Sequence, residues 1–254
     1  MLKELTMETT KPAEEKYKVN HRDKRDIQIS KALSYLLRHA AVKEHLPIDS
    51  NGYVPIDTIL NHNRLKTHRC TLDDLKRVVE NNDKRRFVID KTGTKIAATQ
   101  GHSISGIEPD SSMLTRVTLA SEQLPESLIH GTNVKNAISI LESGRISKMR
   151  RNHVHLSSGV VGVDPGVISG MRHSSTVYIY LKRDELLAAG ENTNESERLN
   201  VFRSLNGVYL VDDSIPLKYF SKIAIKKSAQ RDSEYPKLIE LLNTKYSDVP
   251  YEII

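Results

Sequence analysis

The spacing of the apolar residues changes once along this chain, and that change limits the folds open to it. From Ile29 the positions Ile29, Ala32, Leu33, Leu36 and Leu37 recur at helical spacing. Beyond Leu128 the apolar residues gather into short runs, namely Val154-His155-Leu156, Val177-Tyr178-Ile179-Tyr180, Val208-Tyr209-Leu210-Val211 and Ile223-Ala224-Ile225. Runs of that length read as strands. A helical first half before a mostly β second half predicts an α+β protein of two lobes, which 254 residues suffice to build.

Residues 1–24 are polar, charged and without period, and are expected to form a mobile arm. The first lobe is expected over 25–103. Its opening helix closes on Arg38 and His39. Asp49-Ser50-Asn51-Gly52 is a turn cluster, and Pro55 with Ile56, Ile59 and Leu60 predicts a short second helix that holds proline in its first turn. Thr71 is the expected N-cap of a third helix, with Leu72, Leu75, Val78 and Val79 inward. Phe87-Val88-Ile89 and Lys95-Ile96-Ala97, joined by Lys91-Thr92-Gly93-Thr94, predict a hairpin. Three helices and then a hairpin is the order of a winged helix, a common nucleic-acid platform. Lys66, His68 and Arg69 precede the third helix, within reach of a sugar-phosphate backbone.

The stretch 104–118 loses its period and reads as a linker. In the second lobe, expected over 119–232, Leu128-Ile129 leads into His130-Gly131-Thr132. Asn133 caps a helix through Ala137, Ile138 and Leu141 that Gly144 ends. A short helix and a polar loop are expected over 182–199, and a C-terminal tail over 233–254 with a helix around Leu238–Leu242.

Charge narrows the chemistry. Lys and Arg total 38 against 32 Asp and Glu, a net charge of +6 that favours polyanionic partners such as RNA. Three cationic knots stand far apart: Arg38-His39, Arg85-Arg86 and Arg150-Arg151-Asn152-His153-Val154-His155. Guanidinium forks beside imidazoles suit a phosphorylated substrate, because Arg binds phosphate bidentately and stays charged at any working pH. No matching pair of carboxylates points to a glycosidase or an aspartic protease. The single cysteine, Cys70, allows neither an intrachain disulfide nor a Cys-based zinc site, and no metal is expected. No apolar run approaches the ~18 residues of a membrane span, and the N-terminus lacks a signal-peptide core, so an intracellular, reducing compartment is expected. The Gly-x-Gly-x-x-Gly fingerprint and the Gly-Lys-Ser/Thr phosphate loop are both absent, which disfavours a Rossmann domain or a P-loop NTPase.

His130-Gly131-Thr132, after a strand and before a helix, resembles the nicotinamide-holding motif of NAD-dependent ADP-ribosyltransferases. It occurs in order with Ser30-Lys31-Ala32-Leu33-Ser34-Tyr35-Leu36-Leu37-Arg38-His39, Gln100-Gly101-His102-Ser103 and Arg151-Asn152-His153-Val154-His155-Leu156-Ser157. That series resembles the RNA 2′-phosphotransferases of tRNA splicing over about 24–225. The resemblance implies a winged-helix lobe facing a mostly β ADP-ribosyltransferase-like lobe. It also implies consumption of NAD, a tRNA substrate with an internal 2′-phosphate, and a monomer. The reaction it implies has two steps. The RNA 2′-phosphate displaces nicotinamide from the C1″ of NAD, and the ribose O2″ then attacks the phosphorus. The products are 2′-hydroxyl RNA and ADP-ribose 1″,2″-cyclic phosphate.

By motif, the resemblance puts catalytic roles on Arg38, His39, Arg86 and Arg151. The Asp-Lys-x-Arg-Phe register favours Arg86, with Arg85 the alternative. It implies that His130, Gly131, Thr132, Leu156, Ser157 and Arg172 hold NAD, together with His155, or alternatively His153. Gln100, His102 and Ser103 fall to the RNA side. Val208 takes the place held in related transferases by a glutamate. A phosphomonoester carrying roughly −1.5 to −2 charge needs no base to become a nucleophile and would be repelled by a carboxylate there. His39, with an ordinary pKa near 6.5, is the expected proton carrier of the second step. A terminal-phosphate ADP-ribosyltransferase and a non-catalytic nucleic-acid binder are the rival readings.

Overall fold

The computed structural model describes residues 21–192 and 194–254. Most of the expected arm, 1–20, lies outside them, and its last residues already belong to α1 (His21–Tyr35). A wider π-helical turn, Leu36–Ala40, continues α1 and buries Leu36 and Leu37 completely. β1 (Tyr53–Pro55) follows, so Pro55 ends a strand and stands as the N-cap of α2 (Ile56–Leu60), just ahead of the first turn expected for it. α3 (Asn63–Lys66) is a single turn, too short to show a period in sequence. α4 (Leu72–Glu80) opens on a reciprocal capping box between Thr71 and Asp74. Asp74 also accepts from Arg25 Nη1 and Nη2 at 2.9 and 2.5 Å, which ties α4 to α1. The Arg25 hydrogen bond is the main reason its carboxyl lies far below the usual range. The hairpin β2 (Phe87–Ile89) and β3 (Lys95–Ala98) gains a third strand, because β1 pairs with β3 in the order β1-β3-β2.

The stretch 104–118 carries core contacts and a strand. Ile104 and Ile107 pack into the first core, and Leu114–Val117 forms β4, the edge of a second-lobe sheet. β5 (Ile129–Thr132), α5 (Val134–Ser143), β6 (Arg145–Ile146), β7 (Val154–Leu156), β8 (Val177–Leu181) and α6 (Arg183–Ala189) come next. They are followed by β9 (Val201–Ser204), β10 (Tyr209–Val211), β11 (Ile215–Pro216) and β12 (Phe220–Ile225). α7 (Tyr235–Thr244) and β13 (Tyr251–Ile253) end the chain. The tail is therefore a helix and a strand. Leu238 and Leu242 enter the second core, and β13 lies parallel to β12.

Two four-stranded sheets, β4-β9-β10-β7 and β13-β12-β8-β5, share the second core. They touch through one antiparallel bridge, in which Ile129 and Ser157 exchange both backbone bonds at 2.9 Å. Past that bridge β5 and β7 diverge, and His130 and His155 stand at the opening. The protein is thus α+β with two large hydrophobic cores, one over Ile29–Ile107 and one over Val117–Val249, and two smaller apolar clusters among the described residues. No helix among the described residues is long and apolar enough to cross a membrane.

Candidate active site

Arg38 sits in the π turn, its carbonyl accepting from the Ser103 N–H at 2.9 Å. Its side chain lies beside Gly101, whose φ of +88° suits a residue without Cβ. Nε and Nη2 are buried, and neither has a hydrogen-bond partner among the described residues. A buried donor left unpaired costs about 1–3 kcal/mol, more on a charged group. Burial, then the neighbouring charges of Arg86 and Arg151, pull the Arg38 pKa from 12.5 down to about 10. It therefore stays cationic at neutral pH, with a fork that the protein itself leaves unsatisfied.

Arg86 reaches this cluster from the loop before β2. Asn82 Oδ1 accepts from both its backbone N and its Nη1, at 3.1 and 3.3 Å. Arg85 adopts a φ of +43° and is exposed. Arg86, not Arg85, is the neighbour whose charge disfavours that of Arg38. Arg151 comes from the loop before β7, and Arg172 lies near enough to lower its pKa further after burial has done so. Partial burial, then Arg38 and Arg151, likewise push His39 below the ordinary imidazole range.

The strip Gln100–Ser103 runs between the lobes and touches the cluster at each step. Gln100 Oε1 lies 2.7 Å from His155 Nε2, and Ser103 Oγ lies 2.9 Å from His39 Nδ1. The His102 carbonyl accepts from Asn152 N at 2.9 Å. Its ring is buried over Gly52 with Nε2 unpartnered, and burial followed by the Arg38 charge takes its pKa to about 4. Gln100 and His102 are 8 % and 5 % exposed and turn inward. There Gln100 meets His155 and the His102 carbonyl meets Asn152, next to Arg151.

At the opening between the sheets, His130 Nδ1 lies 3.1 Å from the His155 carbonyl. Burial depresses both imidazoles, His155 well below the usual value. Antiparallel strands send alternate residues' backbone groups to opposite edges. Ile129 turns its N–H and C=O away from β8 to meet Ser157, so Gly131, two residues on, turns its own to the same edge, where β7 has moved off. A Cβ on Gly131 would stand 2.6 Å from the Met171 side chain, so only glycine fits. His153 precedes β7 and meets the Phe202 ring edge-on, with centroids 6.1 Å apart, whereas His155 bonds to Gln100.

Other expected contacts take less direct positions. Leu156 is fully buried in the second core, so its side chain is not in the cleft. The Ser157 hydroxyl donates to the Ser169 carbonyl at 3.0 Å, and Thr132 is buried on β5. Val208 is fully buried with Leu114, Leu210 and Phe202. Lys66, His68 and Arg69 lie apart from the cluster. The carbonyls of His68 and Arg69 accept from Arg25, and at 1.5 Å per residue that end of α1 is roughly 20 Å from Arg38.

Sequence reasoning missed the asparagines that position the cluster. Asn82 holds Arg86, Asn152 Nδ2 reaches the carbonyls of Ile104 and Ile107 at 3.2 and 3.3 Å, and Asn206 Nδ2 reaches the Lys84 carbonyl at 2.9 Å. Asn152 lies inside the quoted basic run. Asn82 and Asn206 carry only turn signals, which say nothing of distant partners.

The chain also has close relatives. A Saccharomyces cerevisiae protein described as tRNA 2'-phosphotransferase is 50% identical over 239 residues, 93% of this chain and 99% of that one. The Homo sapiens tRNA 2'-phosphotransferase 1 is 38% identical over 206 residues, 78% of this chain and 75% of its own length. A Trichormus variabilis protein described as a probable RNA 2'-phosphotransferase is 36% identical over 195 residues, covering 77% and 95%. Residues 24–213 match the model of the family described as RNA 2'-phosphotransferase, Tpt1 / KptA family, and by that match this chain belongs to it.

Proposed function

We propose that this protein removes the splice-junction 2′-phosphate of ligated tRNA by transferring it to NAD. The observation that carries this reading is the Arg38 guanidinium, buried with Nε and Nη2 unpaired beside Arg86 and Arg151. Three clustered guanidiniums with no carboxylate among the charges that perturb Arg38 make a receptor for a multiply charged oxyanion. The names of the relatives supply the tRNA. We read the first lobe as a winged helix and the second as an ADP-ribosyltransferase fold, on their element order and on His130-Gly131-Thr132 between β5 and α5.

The open edge at Gly131 fits NAD, because a carboxamide offers the donor and the acceptor that complement one backbone C=O and N–H. His130 is the candidate for its ribose, and Arg172 for its pyrophosphate. In the first step the 2′-phosphate attacks C1″ and nicotinamide leaves with the bonding pair, giving an ADP-ribosylated RNA 2′-phosphate. The arginines orient the phosphate, and no base is required. In the second, O2″ attacks the phosphorus and the RNA 2′-oxygen leaves. Arg38, Arg86 and Arg151 stabilise the charge gathered on the non-bridging oxygens. His39, held neutral by its surroundings, accepts the O2″ proton and supplies one to the departing 2′-oxygen.

The test is one incubation of 2′-phosphorylated RNA with NAD and without magnesium, followed by mass. The expected products are 2′-hydroxyl RNA, nicotinamide and the cyclic phosphate. Phosphate loss that proceeds without NAD, or none with it, would overturn the reading.

A further inference from the structure

We propose that the cleft beside Arg151, lined by Lys148, His153 and Phe202, binds the base and phosphate of an RNA nucleotide adjoining the phosphorylated ribose. This deepens the reading above and rests on its assignment of an RNA 2′-phosphate to the arginine cluster. The cleft measures about 460 Å³, within the range of small-molecule sites. It opens where the loop before β7, β9 and the segment 105–109 meet, and Arg151 is common to it and to the cluster.

Its walls differ in chemistry. Phe202, on β9, is half-buried, and the His153 ring stands at 74° to it. Two aromatic planes at that angle form a corner, so a flat base laid on one meets the other edge-on. Single-stranded bases are held on such surfaces by stacking, with cations alongside for the backbone. Lys148 supplies the cation. Its Nζ donates to the Asp212 carbonyl at 2.9 Å and stands 3.9 Å from an exposed Asp213 carboxylate. Exposed pairs of that length contribute little, so a phosphate can replace it. Of the carboxylates in the cleft, Asp212 already accepts from Asn200 N and Nδ2 at 2.9 and 2.7 Å, and Glu108 is exposed at the rim. Glu108 opposes a phosphate at the rim, and with the Asp212 carboxylate engaged by Asn200 the phosphate falls to the Arg151 side of Lys148 and the base to Phe202.

RNA suits this cleft better than the adenosine half of NAD. The open edge at Gly131 and Arg172 lie along β5 and the segment after Ser157, whereas Phe202 lies on β9 beside the segment that leaves the first lobe.

The test uses two short 2′-phosphorylated RNAs carrying 2-aminopurine on one or the other side of the phosphorylated ribose, titrated without NAD. Emission from one of them is expected to fall severalfold on binding. Phe202→Leu, which keeps an apolar side chain against Leu114 and Leu210, should abolish the quenching and weaken binding about five- to thirtyfold, at about 1–2 kcal/mol per stacked base. Phe202→Tyr should restore both. Unquenched emission from both RNAs, quenching unchanged in Phe202→Leu, or displacement of the base by added NAD would each overturn the assignment. Equal affinity for the same RNAs without the 2′-phosphate would instead sink the phosphate reading.

Discussion

The Ser103 hydroxyl stands 2.9 Å from Nδ1 of His39, joining the exit of the first-lobe sheet to the end of the first helix. The bond occupies one ring nitrogen and leaves Nε2 for a reacting oxygen. It also fixes the ring, since an imidazole anchored at Nδ1 cannot flip without losing a hydrogen bond.

Ser103 is therefore expected to act through His39. Ser103→Ala should lower kcat for 2′-phosphate removal about tenfold or more, a fraction of what a proton-transfer group supplies. The KM for NAD should hardly move, and Ser103→Thr should recover most of the rate. Intermediate build-up in a quench-flow time course would place the defect in the second step. An Ala variant with wild-type kcat would remove the anchor from the mechanism.

Arg38 stands in a compromise between function and stability. Its buried, unpaired Nε and Nη2 cost the empty protein free energy. Arg38→Met should raise the thermal midpoint while abolishing turnover, and Arg38→Lys, which lacks the fork, should lose on the order of 100-fold in kcat/KM. Inorganic phosphate should raise the midpoint of the wild type and leave that of Arg38→Met unmoved. A destabilised Met variant would show that Arg38 is already satisfied in the free protein.

The cluster was legible in sequence because its chemistry is short-range in sequence even where its partners are distant. Arg38-His39 and Arg151 announce themselves as dense charge, and helices α4 and α5 follow from Thr71, Asn133 and the αL Gly144. Strands β4 and β9 were not legible. Leu114–Val117 and Val201–Ser204 bury their first and last residues and expose the middle, which matches no period-two pattern. Their pairing with each other, eighty-odd residues apart, decides that they are strands. The contacts of Gln100, His102 and Ser103 are illegible for the same reason: their polarity is local, while their partners His155, Gly52 and His39 are distant in sequence.

The buried imidazole of His102 makes stability depend on pH. Its folded pKa is about 4 against an ordinary value of 6.5, so the unfolded chain binds the proton more readily between those values. The linkage then raises stability with pH. The contribution is complete above about 6.5 and is lost as pH falls toward 4, amounting to at most about 3 kcal/mol. Urea unfolding at several pH values should show that decline, and His102→Gln should make it shallower, the remainder coming from the other buried imidazoles, His130 and His155. Parallel curves for the two proteins would mean that the charged ring is tolerated where it lies.

Val208 tests whether the acceptor is anionic. It is fully buried in a small apolar cluster with Leu114 and Leu210, so a carboxylate there carries two penalties, loss of hydration and repulsion of the phosphate. Val208→Glu alone cannot separate them. Val208→Gln has the same shape without the charge and a smaller desolvation cost. Both variants should unfold at lower urea, the Glu variant by more at neutral pH. The Glu variant should in addition show at least tenfold lower kcat/KM for 2′-phosphorylated RNA than the Gln variant, measured at a temperature where both are folded. The gap should narrow as pH falls and the carboxyl takes up a proton. Equal rates for Glu and Gln across that range would defeat the argument that an aliphatic side chain is needed here to admit a dianion.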